Sequence, residues 1–224
     1  MQHPDGMIVI SGMKSTDLKN LIQTGEGTFL EFKKTIPSAE KIAREMAAFA
    51  NTNGGTLLIG VNDDKTITGV GGYFEEEYLL RKAAEENCIP PLNIRVEMVH
   101  VGDKEVMVVT VPEAEVKPVY NKGKDKRSVF IRREDKSVMA SDEMIEILKQ
   151  ASSGEGATFE YGENEQILFR YLNEYGEITV SAFARLLNVT TFRASKILVN
   201  LVAAGVLKLT AREDVEYFTF SNKS

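Results

Sequence analysis

The chain has 224 residues and a formal net charge of −6, which is enough length for one large domain or two modest ones. The acidic balance argues against a surface coated in positive potential, so any nucleic-acid binding must be local. One cysteine and two histidines exclude an internal disulfide and a Cys/His zinc site. We expect a cytoplasmic protein without a membrane segment, because the apolar runs are short and residues 1–14, an N-terminal leader, show no secretory signal.

A strand-helix-strand unit over residues 25–70 follows a short helix that the pattern predicts over residues 15–24. In the first strand of this unit, Phe29, Glu31 and Lys33 share one side, because side chains alternate along an extended chain. Two opposite charges and an aromatic ring are therefore expected on one face of the strand.

The helix of this unit is rich in alanine, which predicts a buried helix, and Ser38 is its expected N-cap. The run NTNGG at residues 51–55 ends the helix, since Asn and Gly tolerate positive φ. The apolar run TLLIGV at residues 56–61 predicts an interior strand.

Carboxylates lie at both ends of the unit: Glu26 and Glu31 at the start, Asp63 and Asp64 at the end. Glu26 and Glu31 would face opposite ways on an unbroken strand, so their convergence requires a kink, for which the glycines flanking Glu26 supply the freedom. A purely structural interpretation stays open. Glu31 can pair with Lys33 or with a neighbouring strand, and the two aspartates can be turn residues.

The following segment predicts a charged helix over residues 73–87 and two strands over residues 93–101 and 104–111. The pair Gly102-Asp103 between the strands suits a two-residue hairpin turn. A helix predicted over residues 141–149 closes the first domain.

The charge changes sign between residues 117 and 133, where cations are interleaved with Tyr120 and Phe130. Such a pattern can hold phosphates and stack bases, although a solvated loop has the same composition. The predicted nucleic-acid contacts in this run are Lys122, Lys124, Lys126, Arg127, Arg132 and Arg133.

Residues 152–159 have the composition of a flexible linker, so we expect domains at residues 15–151 and 160–224. The second domain predicts three short helices and a strand hairpin, a pattern that resembles a winged helix-turn-helix. Its recognition helix would begin near residue 190 and present Arg193 and Lys196 to nucleic acid. Winged helices also serve in dimerisation and protein docking, and that alternative stays open.

Several motifs of the first domain occur in the order and spacing of a known family. The motifs are Glu26 followed by Glu31-Phe32-Lys33, AFANTNGG at residues 48–55, IGVNDD at 59–64, Gly69-Val70, KPVY at 117–120 and VFIRR at 129–133. With these motifs the chain resembles the Schlafen AlbA-type domain, a nucleic-acid-binding domain of many bacterial regulators, over roughly residues 15–150. One departure is Glu134, where members of the family often carry Gly.

The resemblance implies an α+β fold, with a mixed sheet and helices followed by the small winged-helix domain. It also implies a DNA-binding transcriptional regulator that acts as a homo-oligomer, with DNA as the first-choice partner, RNA as the second and no required cofactor.

An alternative comes from the same resemblance, because some eukaryotic Schlafen proteins are metal-dependent endoribonucleases. By motif position, the catalytic acids would be Glu26, Glu31 and Asp63, with Asp64 as a further metal ligand, Mg or Mn as the metal and Lys33 on the phosphate. Nucleotide hydrolysis has no support, since the chain lacks GxxxxGK[ST].

Overall fold

A computed structural model describes residues 12–123, 126–153, 161–213 and 215–221. The first eleven residues of the predicted leader, Lys124 and most of the predicted linker lie outside the described residues. The chain forms two compact units, residues 1–140 and 141–224. Among the helices in the described ranges, none has the length and apolar character needed to cross a bilayer.

The first unit has two sheets, and the strands predicted for this unit from the sequence all lie in the first of them. The elements are α1 (Ser15–Thr24), β1 (Leu30–Lys33), α2 (Ala39–Asn51), β2 (Gly55–Ile59), α3 (Tyr73–Lys82), a π-helical turn (Ala83–Asn87), β3 (Cys88–Ile89), β4 (Arg95–Val101), β5 (Lys104–Val111), β6 (Tyr120–Lys122), β7 (Arg127–Arg133) and β8 (Lys136–Met139). The mixed sheet has the order β1-β2-β5-β4, with β1 parallel to β2 and the other pairs antiparallel. The second sheet, whose strands were not predicted from the sequence, is antiparallel, with the order β3-β6-β7-β8.

Alternation along β2 separates two hydrophobic cores. Leu57 and Ile59 join the core built around α2, whereas Leu58 joins Leu18 and Ile22 of α1 on the opposite face. The mixed sheet is therefore covered by α1 on one side and by α2 on the other, and the α+β class expected from the sequence is confirmed.

Helix α2 lies between the mixed sheet and the second sheet, which explains its alanine content, because small side chains let both sheets approach closely. The hydroxyl of Ser38 accepts a hydrogen bond from the backbone N–H of Lys41 at 3.2 Å, so the predicted N-cap is confirmed. After the helix, Gly54 has φ +72°, and a Cβ there would lie 2.8 Å from the carbonyl oxygen of Val111. Only glycine fits this return into β2.

The second unit contains a core of helices and strands around Phe183 and Phe218. The elements are α4 (Asp142–Ser152), α5 (Glu163–Tyr175), β9 (Glu177–Ile178), α6 (Val180–Leu187), α7 (Thr191–Ala203), β10 (Leu207–Arg212) and β11 (Val215–Phe220). The strands form a sheet of order β10-β11-β9.

Helix α4 belongs to the second unit, whereas the sequence analysis expected it to close the first domain. It packs on α7, where Ser195 donates a hydrogen bond to Glu143 at 2.8 Å and Gln150 donates to Asn200 at 3.2 Å. The difference has a simple reason, since an amphipathic pattern shows that a helix buries one face but not which unit covers it.

Candidate nucleic-acid interface and acidic site

The chain makes the kink that convergence of Glu26 and Glu31 requires. Gly25 has φ +83°, and Gly27 and Leu30 exchange backbone hydrogen bonds of 2.9 and 3.4 Å across a tight turn. This turn places the Glu26 carboxylate beside β1, where it accepts a hydrogen bond from the N–H of Phe32 at 2.8 Å.

Glu26 lies within electrostatic reach of two other predicted acids. Partial burial raises the pKa of Glu26, the hydrogen bond from Phe32 opposes this rise, and the negative charges of Glu31 and Asp63 add to it. Lys33 acts in the opposite direction. Three carboxylates from the two ends of the strand-helix-strand unit are therefore electrostatically coupled.

Glu31 is buried and already has two cationic partners. It forms ion pairs with Lys33 and with Arg132, whose Nη1 lies 3.0 Å from Glu31 Oε2. Lys33 also donates a hydrogen bond to the carbonyl oxygen of Phe32 at 3.0 Å. Both carboxylate oxygens of Glu31 are thus occupied by positive groups of the chain itself.

Asp63 and Asp64 are exposed in the turn that follows β2. Asp64 accepts a hydrogen bond from the N–H of Thr66 at 2.9 Å, which lowers the pKa of its carboxyl group. Lys65, with φ +70°, completes the turn. These two acids therefore have the turn roles that the sequence analysis kept as an alternative.

A metal centre at Glu26, Glu31, Asp63 and Asp64 does not fit this arrangement. Among the described residues, no group of three or more His, Cys, Asp or Glu side chains is placed to hold a metal ion. Glu31 is instead paired with Lys33 and Arg132, and Asp63 and Asp64 lie in an exposed turn, so no metal-dependent step is assigned to these residues.

Arg132 occupies a buried position at the centre of an ion-pair network. Its side chain is 0% exposed, and Nη1 lies 3.0 Å from Glu31 and 3.4 Å from Glu45. Its Nη2 donates to the carbonyl oxygen of Gly27 at 2.7 Å, and the guanidinium lies 4.7 Å from the Phe49 ring centroid. This position corrects the predicted phosphate contact for Arg132, because a guanidinium enclosed by protein groups does not reach an external phosphate.

Glu45, the second buried acid of this network, was not predicted from the sequence. Glu45 is 5% exposed and accepts hydrogen bonds from Arg44, at 2.9 Å from Nη2, and from the hydroxyl of Ser137. One signal was available: Glu45 lies three residues after Ile42 and four before Phe49, so it shares the helix face of these apolar residues.

The remaining cations of the basic run form an exposed group at the β6–β7 hairpin. Lys122, Lys126 and Arg127 are exposed, and Lys122 and Arg127 are paired directly across the two strands. In the described part of the chain, no carboxylate forms an ion pair with these three side chains. Like charges placed opposite each other destabilise a strand pair, so a bound anion would relieve this repulsion. Arg133 is half-buried.

In the second unit, the predicted recognition helix corresponds to α7, with Thr190 as its N-cap. The Thr190 hydroxyl accepts a hydrogen bond from the N–H of Arg193 at 3.3 Å. Arg193 and Lys196 are exposed on this helix, and Phe192 between Thr190 and Arg193 is 80% exposed.

Comparison with known proteins gives a family match for the first unit. The model of the family described as Schlafen, AlbA_2 matches residues 26–141, which is more than half of the chain. A comparison with curated proteins found no match.

Two solved structures are similar to parts of the chain. One is the solution structure of the N-terminal domain of an ATP-dependent DNA helicase RecG-related protein from Nitrosomonas europaea. It is 26% identical with a TM-score of 0.44, and the alignment covers 58% of this chain and 92% of that domain. The other is the crystal structure of the DIP2311 protein from Corynebacterium diphtheriae, which is 18% identical with a TM-score of 0.47. That alignment covers 87% of this chain and only 34% of the other. Because the family model matches residues 26–141, this chain belongs to the Schlafen AlbA_2 family.

Proposed function

We propose that the chain is a DNA-binding transcriptional regulator that acts as a homo-oligomer in the cytoplasm. The observation that carries this proposal is the exposed cationic hairpin, in which Lys122 and Arg127 face each other without a carboxylate partner in the described residues. Phosphate oxygens of a nucleic acid are the anions that such a pair would hold. Membership of the family is in keeping with nucleic-acid binding.

The second unit supports the same proposal. Helices α5, α6 and α7 with the β10–β11 hairpin have the element order of a winged helix-turn-helix. In that arrangement α7 is the recognition helix, and its exposed Arg193 and Lys196 contact bases or phosphates. Two weak interfaces in one chain, multiplied in an oligomer, compensate for the overall acidic charge.

Neutralising the hairpin is expected to weaken DNA binding and its dependence on salt. In the triple variant Lys122→Gln, Lys126→Gln and Arg127→Gln, three phosphate contacts are lost. The slope of log Kd against log salt concentration should therefore fall by roughly 2.7, at about 0.9 for each contact. Fluorescence anisotropy of a labelled duplex, measured over a series of KCl concentrations, gives this slope.

The matched control is a triple glutamine variant at three exposed cations: Lys14 at the N-cap of α1, Lys19 on α1 and Lys104 at the start of β5. It changes the net charge by the same amount and should keep the wild-type slope. Equal slopes in the two triple variants would remove the hairpin from the interface, and a wild-type chain that binds no nucleic acid would refute the regulator itself.

A second candidate is cleavage of RNA, and one observation favours it. Glu26 has a raised pKa beside Glu31 and Asp63, and carboxyl groups with raised pKa values are common among proton-transferring residues of enzymes. In this alternative Glu26 exchanges a proton with the reacting oxygen, and Lys33 neutralises charge on the phosphate.

Glu26→Gln is the variant that tests this candidate, since Glu31 is too deeply paired for a clean substitution. The glutamine oxygen can still accept the hydrogen bond from Phe32. Because the folded-state pKa of Glu26 is raised, the folded chain binds more protons than the unfolded chain, and stability falls as pH rises through that window. The variant should therefore melt at a higher temperature than the wild type at neutral pH, while its cleavage of end-labelled transfer RNA or single-stranded RNA is lost.

Asp64→Asn serves as the control of opposite sign. The lowered pKa of Asp64 contributes stability above its ordinary pKa, so this variant should lose rather than gain stability at neutral pH and should keep any cleavage. Undiminished cleavage by Glu26→Gln, with or without added manganese, would end the nuclease alternative.

A further inference from the structure

Helix α2 exposes only two of its side chains, and both are cations. Of the thirteen residues of this helix, Lys41 and Arg44 are exposed, Glu40 is half-buried and the others are buried. Residues three apart lie on the same side of a helix, so the two cations share the one strip of α2 that reaches solvent. No role for either cation was predicted from the sequence.

The Arg44 side chain is held in place by neighbouring groups. Its Nε and Nη2 donate to the same carboxylate oxygen of Glu45, at 3.2 and 2.9 Å, and its guanidinium lies 5.8 Å from the centroid of the Phe130 ring. The side chain is nevertheless 48% exposed, and its Nη1 has no acceptor within the described part of the chain. A guanidinium fixed in this way loses little further conformational freedom when it binds a phosphate.

This strip is continuous with the cationic hairpin. The side-chain amide of Asn121 on β6 donates to the carbonyl oxygen of Glu40 at 2.9 Å, so the first turn of α2 lies against the hairpin. Gly123 at the hairpin end is also close to the Glu40 side chain, since a Cβ there would lie 3.2 Å from the carboxylate. One turn further along α2, the Arg44 guanidinium lies over the ring of Phe130. Phe130 is on β7, three residues after Arg127.

We infer that the phosphodiester backbone of the bound nucleic acid continues from the hairpin across α2, with Lys41 and Arg44 as phosphate ligands. This inference rests on the proposed function and extends it to a binding surface on α2. Phe130 and Glu45 position the guanidinium of Arg44 for this contact, and the carboxylates of Glu40 and Glu45 limit the site to a few phosphates.

Four single variants test the surface in the labelled-duplex titration, each checked by its thermal unfolding midpoint. Lys41→Ala and Arg44→Ala should each reduce the salt slope by about 0.9, as expected for one lost phosphate contact. Arg44→Lys keeps the charge but loses the forked contact to Glu45, so the slope should stay at the wild-type value while affinity falls at every salt concentration. Phe130→Leu should behave like Arg44→Lys, because it removes the ring and no charge.

Lys19→Ala, at an exposed cation of α1, is the matched control and should bind as the wild type does. If the hairpin triple variant is weakened while Lys41→Ala and Arg44→Ala match Lys19→Ala, the inference is overturned and the proposed function stands. If the wild type binds no nucleic acid, both fail.

Competition with inorganic phosphate at constant ionic strength distinguishes a polymer site from a site for a small anion. The inference expects no displacement of the duplex beyond that caused by chloride. Displacement by phosphate that disappears in Arg44→Ala would assign Arg44 to a small anion and would overturn the inference as well.

Discussion

Replacing Arg132 with methionine is expected to destabilise the first unit by about 3–5 kcal/mol, the cost typical of breaking a buried ion pair on one side. The side chain is fully enclosed and lies within ion-pair distance of Glu31 and Glu45. Methionine fills much of the volume but leaves two buried carboxylates without this cation. Urea unfolding followed by circular dichroism measures the loss in the transition of the first unit.

Two further variants show whether charge is the cause. Adding Glu31→Gln and Glu45→Gln to Arg132→Met removes the uncompensated charges and should recover part of the lost stability. Arg127→Met, at an exposed residue of the same strand, should change stability by no more than about 0.5 kcal/mol. An Arg132→Met variant as stable as Arg127→Met would show that the network contributes nothing to the fold.

Asn51→Ala is expected to cost on the order of 3 kcal/mol, because it leaves several buried polar groups without partners. The Asn51 amide donates to the carbonyl oxygens of Val119 and Phe130 at 2.8 and 2.9 Å, and its oxygen accepts from the N–H of Val119 at 2.7 Å. Asn51 is 2% exposed and joins the end of α2 to the second sheet. Faster hydrogen exchange at the Val119 amide should accompany the lower unfolding free energy.

Asn51→Asp is the isosteric comparison for this position. A carboxylate would face two carbonyl oxygens, so its cost should exceed that of alanine at neutral pH and should shrink as the pH falls toward the protonation of the carboxyl group. Asn53→Ala, at an exposed residue two positions along, should stay near the wild type. If Asn51→Ala were no less stable than Asn53→Ala, the amide would have no part in joining helix and sheet.

The turn between β7 and β8 contains Glu134, the residue at which the sequence departs from the family motif. Arg133 and Lys136 are paired across the strands, and Glu134 in the turn between them has φ +55°. Glycine is favoured at such a position because it lacks a Cβ. A preference for Gly at this position is therefore explained by the positive φ of the turn. Glu134 adopts the same φ although its Cβ makes this conformation less favourable.

The sequence by itself determined the elements whose signals are local. The interior strand β2, the Ser38 cap of α2 and the Gly102-Asp103 turn of the β4–β5 hairpin each depend on a few neighbouring residues, and the structure confirms all three. The spacing of Glu26 and Glu31 also showed that the two acids could converge only through a kink, and the structure has a tight turn at that place.

Only the tertiary structure decided which cations face solvent and which are enclosed. Arg127 and Arg132 lie in the same basic run, yet Arg127 is exposed while Arg132 is buried against Glu31 and Glu45, which are 101 and 87 residues away in the chain from Arg132. The exposure of Lys41 and Arg44 on α2 likewise follows from tertiary packing, because the two sheets cover the rest of that helix. Local periodicity shows that a residue lies on a face, but the partner of a charge is set by contacts between distant segments.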